Sequence, residues 1–306
     1  MRVFLTGASG YLGGVLAEHL AGMPEVASIT GISRTPPASP LPAKLKFLPM
    51  DIRSSDLAAA IAGHDALIHT ACIVLWSAST PIASRDDINL RGIRNVAQAA
   101  LQAKVPRFIH ASSMAAYDPE LARGQSNVAE DFPLGKGDSP FYYWNSKALA
   151  ESTLANVLAS SGTTVTMFRP IYLSGPHNRI TVQRYRQKAA NLLGRNPRRQ
   201  FIHEADVAGA FLQALRTDMP GAYNIVPDDF IRMSDVWRIV GAKFVPAVPL
   251  WVALLTTWLR WRLLGYPIHP SWVRDVLIDF TGSNARLRAT GWRPRYGSAE
   301  ALQAAL

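Results

Sequence analysis

Tyr143 and Lys147 stand four residues apart in Phe141-Tyr142-Tyr143-Trp144-Asn145-Ser146-Lys147, a segment that opens a helix running to about Ala159. Residues at that spacing share one helix face, so the phenol and the ammonium project side by side. A tyrosine that gives or takes a proton near neutral pH must have its ordinary value of about 10 lowered, and a neighbouring positive charge does this by favouring phenolate. Lys147 is placed to supply that charge. A serine hydroxyl such as Ser113 can then bond the substrate oxygen at which Tyr143 delivers or removes the proton. Tyr142 is one residue out of this register. A Tyr and a Lys four apart occur by chance in many helices, so the weight of the pair depends on what precedes it.

What precedes it is Thr6-Gly7-Ala8-Ser9-Gly10-Tyr11-Leu12-Gly13. Arg2 to Thr6 reads as a short buried strand and Leu12 to Leu20 carries apolar residues at helical spacing, which puts the glycines at a strand-to-helix junction. Glycine there lets the backbone turn tightly and approach a ligand, while the free N–H groups and dipole of the helix N-terminus favour a pyrophosphate. A tight turn with close packing and no ligand is the plainer alternative; the flanking strand and helix weigh against it. About 20 residues past such glycines, an acid would select a free ribose 2′-OH. The chain has Ser33-Arg34 at that corner, and Arg34 can receive a 2′-phosphate or be a solvated arginine before Pro36-Pro37. The expected cofactor is NADP, with NAD as the alternative.

Strand and helix patterns alternate through the first two thirds of the chain, which implies parallel strands joined by crossover helices. Val26–Ser33, Lys46–Met50, Ala66–Ala71 and Arg107–Ser112 are predicted strands; Asp56–Ala62 and a long Ile82–Ala103 are predicted helices. Ile73 to Ser84 is a loop over the carboxyl ends of the strands, where open α/β sheets bind ligands. Asp118 to Pro140 is a longer loop of the kind that forms lids or stays disordered. His69, alone in an apolar strand, reads as a hydrogen-bonded core residue.

The 306 residues, 48% of them hydrophobic, suit one large domain or two unequal ones. The single cysteine, Cys72, excludes an internal disulfide framework and a cysteine-rich metal site, and no clustered set of ligands offers a zinc site. The chain opens directly on its first strand, so the expectation is no secretory signal and a cytoplasmic protein. Val245 to Leu259, broken by Pro246 and Pro249 and followed by Arg260 and Arg262, falls short of the roughly 20 apolar residues of a membrane span. The net charge of +10 suits phosphate-bearing small molecules as well as nucleic acid, and no nucleic-acid partner is expected.

Together these residues resemble the extended short-chain dehydrogenase/reductase family, which includes nucleotide-sugar epimerases and dehydratases and the 3β-hydroxysteroid dehydrogenase type. Gly7, Gly10 and Gly13 match its glycine pattern, Tyr143 and Lys147 its Tyr-x-x-x-Lys pair, and Ser113 the place of its catalytic serine or threonine. Asp51-Ile52 is similar to the adenine-contacting pair, Leu67-Ile68-His69-Thr70-Ala71 to the fourth-strand motif, and Asn89 to the asparagine of the next helix. Phe168-Arg169-Pro170-Ile171-Tyr172-Leu173-Ser174-Gly175-Pro176 is similar to the segment closing the nicotinamide pocket; Phe201-Ile202-His203, Asp206-Val207-Ala208 and Gly291-Trp292-Arg293-Pro294 also fit. The resemblance implies a doubly wound parallel Rossmann sheet over residues 1–170, rejoined by 204–226, with a smaller α-rich substrate lobe from 171–203 and 227–306. It implies an enzyme in which Ser113, Tyr143 and Lys147 are catalytic. Cofactor contacts would come from Gly7, Ser9, Gly10, Tyr11, Leu12, Gly13, Ser33, Arg34, Asp51, Ile52, Thr70, Ala71, Cys72, Asn89, Tyr143, Lys147, Pro170 and Ile171. Pairing of the helices bearing Asn89 and Tyr143 would make a homodimer.

Departures narrow the chemistry. Met114 and Ala115 follow Ser113 where the dehydratases have an acid pair, which disfavours dehydration. Reversible hydride transfer at a carbinol carbon remains, as net redox chemistry or as half of a nucleotide-sugar epimerisation; a non-catalytic dinucleotide sensor is the reading from another class. Arg179, Arg184, Arg186, Lys188, Arg195, Arg198 and Arg199, with no acid among them, suit a nucleotide diphosphate or a solvated basic face. Trp251, Trp258, Trp261, Tyr266 and Trp272 suit an apolar pocket or the lobe's own core instead.

Overall fold

The strand β1 (Arg2–Thr6) lies inside a seven-stranded sheet in the computed structural model, which describes the chain except residues 39, 179–181, 183, 184 and 187–189. With β2 (Ser28–Ser33), β3 (Leu45–Pro49), β4 (Ala66–His69), β5 (Arg107–Ala111) and β6 (Thr164–Pro170), the order runs from the edge strand Gly221–Ile225 through β6, β5, β4, β1 and β2 to β3. Every adjacent pair is parallel. Strand order reverses between β1 and β4, the point at which such sheets open a crevice.

Both faces of the sheet are covered, and the side chains divide by the period of two. Val3 and Leu5 of β1 face one core with α1 (Tyr11–Ala21) and the helix Glu204–Arg216, contributing Val15, Leu16, Leu20 and Phe211. Phe4, Leu67 and Phe108 face the other, against α2 (Leu57–Ile61), α4 (Gly92–Ala103) and α6 (Tyr142–Leu158). A third core around Phe201, Met233, Val236, Trp237 and Leu302 belongs to the later part of the chain.

Two expectations change in detail. The long helix predicted from Ile82 breaks into α3 (Ile82–Asp86), a π-helical turn at Asp87–Arg91, and α4. The widened turn carries Asn89, which is buried. The loop after Asp118 is pinned: Asp118 Oδ1 caps a short helix, α5 (Pro119–Ala122), by accepting from the Glu120 and Leu121 N–H groups at 3.0 and 3.1 Å. Tyr117 then bridges Leu134, and Val128 bridges Gly282. No helix among the described residues is long and apolar enough to cross a membrane.

Candidate active site

The glycine loop leaves β1 at the reversal point and is held by backbone bonds. Gly7 and Ala8 both donate to Ile32 O, Gly10 donates to Gly7 O, and Ser9 N donates to Ser33 Oγ at 2.9 Å. Gly7 has φ +73°, and a Cβ there would lie 2.7 Å from Thr70 Oγ1 and 2.8 Å from Ala71 N. A Cβ on Gly13 would lie 2.1 Å from Gly7 O. Gly10 begins α1 with no side-chain acceptor for the first turn, which leaves those N–H groups open to an anion.

Gly13→Ala is therefore expected to cost about 1–3 kcal/mol in stability and to weaken dinucleotide binding, because the obstructing atom is backbone. Gly14→Ala is the control: nothing lies within 4 Å of its Cβ, and the helix gains about 0.5–1 kcal/mol. Denaturant unfolding and NADPH fluorescence titration of both variants check this; a Gly13→Ala protein that binds as tightly as the parent would show that the close approach is not needed.

Around the loop, the expected cofactor residues divide. Arg34 is exposed just past β2, with no carboxylate at the strand's end. Asp51 is gripped by Arg53, whose Nε and Nη2 donate at 2.8 and 2.6 Å; this pair, with Arg34 nearby, holds the Asp51 carboxyl below its usual range. Ile52 is buried against Gly92. Asn89 accepts from the Ile73 N–H at 2.8 Å and donates to its carbonyl at 2.9 Å, which fixes the start of the loop. Tyr11 donates to Glu204 Oε2 at 2.6 Å, and Leu12 packs on the core. Pro170 ends β6, and Ile171 N donates to Ile225 O.

The segment 70–72 joins the loop to the Tyr–Lys pair. Thr70 Oγ1 donates to Thr6 O at 2.7 Å, Ala71 backs Gly7, and Cys72 next to them lies close enough to Tyr143 and Lys147 to act on both electrostatically. Lys147, 5% exposed, donates from Nζ to Ala111 O at the end of β5 at 2.8 Å and sits 5.8 Å from the Tyr143 ring centroid. Ser113, two residues beyond β5, accepts from Ala115 N at 3.1 Å and lies close enough to Tyr143 to favour its phenolate. The start of α6 is fixed by a clasp in which Asn145 Oδ1 accepts from Ser139 Oγ at 2.6 Å and Asn145 Nδ2 donates to Ser139 O at 2.7 Å.

The electrostatics of Tyr143 correct the sequence-based expectation. Burial raises its pKa and outweighs the downward pull of Lys147 and Ser113, so the net direction is up. Sequence spacing revealed the lysine but could not reveal how completely the ring is enclosed. Burial pushes Lys147 down, yet Cys72, Tyr143 and Glu151 together raise it, so the ammonium persists. His69 and His110 stack beneath, 5.4 Å apart, both driven toward the neutral form chiefly by burial, His69 to about 3. This agrees with the reading of His69 as a core residue; its Nδ1 shares a 2.7 Å hydrogen bond with Thr6 Oγ1.

The wall facing Tyr143 is aromatic. Trp272 packs on its ring at 5.3 Å, and Asp275 accepts from Trp144 Nε1 at 2.9 Å and Tyr172 OH at 2.7 Å. Beside them, Arg85 lies 4.2 Å from the Trp76 ring centroid and 4.4 Å from that of Tyr142. Trp76 stacks on His269, and Trp261 meets His269 edge-on and donates to Trp76 O at 3.3 Å. Sequence reasoning noted Trp261 and Trp272 but not Trp76, Asp275, Arg85 or Glu204. Their role depends on partners distant in sequence, and no local pattern announces it.

Of the basic residues read as a diphosphate site or a solvated face, three of the four described are engaged with other groups of the chain. Arg198 bonds Asp279 and Ser126, Arg199 bonds the carbonyls of Arg198 and Val276, and Arg186 donates to Val240 O at 2.7 Å. Arg195 is exposed, and Arg179, Arg184 and Lys188 lie outside the described residues.

Residues 3–226 match the NAD dependent epimerase/dehydratase family. The chain is 28% identical to a Mycobacterium tuberculosis 3 beta-hydroxysteroid dehydrogenase/Delta 5-->4-isomerase, over 98% of this chain and 88% of the relative. It is 26% identical to the L-arabinose 1-dehydrogenase (NAD(P)(+)) of Haloferax volcanii, over 79% of this chain and 95% of that protein. In fold it is similar to UDP-glucuronic acid 4-epimerase from Bacillus cereus in complex with NAD, with TM-score 0.75 at 18% identity, covering 99% of this chain and 97% of the other. With the match covering most of its length and its sheet in the same architecture, the chain is an enzyme of the NAD dependent epimerase/dehydratase family.

Proposed function

We propose that the protein is an NADP-preferring oxidoreductase that interconverts an apolar secondary alcohol and its ketone. The observation that carries this is the continuity of the site: Ser113, Tyr143 and Lys147 are gathered at the carboxyl ends of the strands, and residues 70–72 connect them to the glycine loop. Gly7, Ser9, Gly10, Tyr11, Leu12 and Gly13, with Ser33 and Arg34 at the ribose corner, would hold a dinucleotide that supplies hydride chemistry when bound. Tyr143 gives its proton to the carbonyl oxygen in reduction and takes it back in oxidation. Ser113 orients that oxygen, and Lys147 favours the phenolate whenever the proton leaves.

The aromatic wall of Trp272, Trp76, Tyr142 and Trp261 favours an apolar substrate over a nucleotide sugar, as do the engaged arginines Arg186, Arg198 and Arg199. An epimerase on the same site would turn over with no net change in nicotinamide absorbance; a steady absorbance change with an apolar ketone supports the redox reading.

NADP preference rests on Arg34 at the end of β2. NADPH is expected to bind more tightly than NADH, and Arg34→Ala to weaken NADPH alone by about 10- to 100-fold, the range of a charge-assisted bond to phosphate. Fluorescence titration with both cofactors decides it: equal losses for NADPH and NADH remove the 2′-phosphate assignment.

A further inference from the structure

The helix Leu250–Leu263 has no buried residue. Trp251 is 67% exposed, Leu255 48%, Trp258 45% and Leu263 70%, and Leu264 just beyond is 78% exposed. Positions 251, 255, 258 and 259 lie on one helix face, so the outward stripe is apolar where a solvated helix would be polar. Phe244, before the helix, is 79% exposed. Arg260 and Arg262 in the last turn are exposed, and from 236 to 274 the sequence carries Arg238, Lys243, Arg260, Arg262 and Arg274 with no Asp or Glu.

We propose that this helix is a membrane-docking element that lies in the headgroup region of an anionic bilayer, its tryptophans and leucines inserted and its arginines on the lipid phosphates. At 14 residues it is about 21 Å long, too short to cross but suited to lying flat. Tryptophan favours the boundary between headgroups and acyl chains. Charge decides between a bilayer and a second copy of the chain. A two-fold contact through this stripe would bury Arg262, which shares the face of Trp251 and Leu255, with no acid on the segment to pair it, whereas anionic headgroups complement both it and Arg260. Trp261, on the same helix, touches Trp76 O and His269, so the docked face adjoins the aromatic wall of the site.

Flotation of the full chain with vesicles of phosphatidylcholine, alone or with phosphatidylglycerol, tests this without cofactor or substrate, so it stands or falls separately from the hydride-transfer reading. The protein is expected to float with the phosphatidylglycerol vesicles at low salt and to release as salt rises. Arg260→Gln with Arg262→Gln should weaken that binding about 25-fold, at roughly fivefold per charge. Trp251→Ser, Leu255→Ser and Trp258→Ser together should abolish it, with the unfolding midpoint unchanged. Failure of the parent to float with either vesicle, or an arginine variant that floats as the parent does, overturns the proposal. So does a dimer in light scattering that the triple serine variant splits, which would assign the face to a second copy.

Discussion

Replacing Tyr143 by phenylalanine is expected to lower turnover by about 10²- to 10⁴-fold, the range of a positioned general acid or base. The ring still packs on Trp272 at 5.3 Å, so the fold should stay as in the parent. The pH profile gives the same prediction a second readout. Burial raises the Tyr143 pKa despite Lys147. Below that raised value the phenol keeps its proton, so reductive turnover should be flat through neutrality and fall only as alkalinity strips it, above about pH 10. Oxidation needs the phenolate and should rise with pH over the same range. Steady-state kinetics in both directions measure this. A reductive profile that falls between about pH 7 and 9 would mean that burial does not dominate the phenol, and a phenylalanine variant with parental turnover would remove Tyr143 from the chemistry.

The second large effect is on stability. Glu151 and Arg169 form a buried pair, 1% and 5% exposed, with Arg169 Nε and Nη2 donating at 2.9 and 2.6 Å. Arg169 also donates to Tyr117 OH at 2.9 Å, Ser112 bonds Glu151, and Tyr117 donates to Asn224 at 2.7 Å. Glu151→Ala strands a guanidinium in the interior and is expected to cost about 3–5 kcal/mol, far more than an exposed ion pair such as Arg123–Glu120. Glu151→Leu with Arg169→Met, which removes both charges, should restore most of the loss. Denaturant unfolding of the single and double variants measures both. A single variant within about 1 kcal/mol of the parent would show that water reaches Arg169.

The sheet was legible because both its faces are buried. Val3-Phe4-Leu5 and Ala66-Leu67-Ile68 are apolar without interruption, and glycines and polar residues mark their ends. Tyr143 and Lys147 were legible because their relation is local, one turn of one helix. Relations closed by the fold were not. Glu151 and Arg169, 18 residues apart, become a pair only when α6 and β6 pack together. Arg198 reads as a free cation until Asp279 is brought to it from a distant loop. That Asn89, expected as a cofactor contact, also holds Ile73 from a π-helical turn shows only in the fold. The direction of the Tyr143 shift was hidden for the same reason: a charge four residues away is visible in sequence, and enclosure of a ring is not.

Arg85, 4% exposed against the rings of Trp76 and Tyr142, joins the loop after β4 to the start of α6 through ring quadrupoles rather than a carboxylate. Buried away from counterions, such a clasp is insensitive to ionic strength, whereas the arginine contacts of an outer helix with phosphate are screened. Salt would then act as a selective release, freeing the enzyme from a charged surface while the mouth of its site keeps its shape.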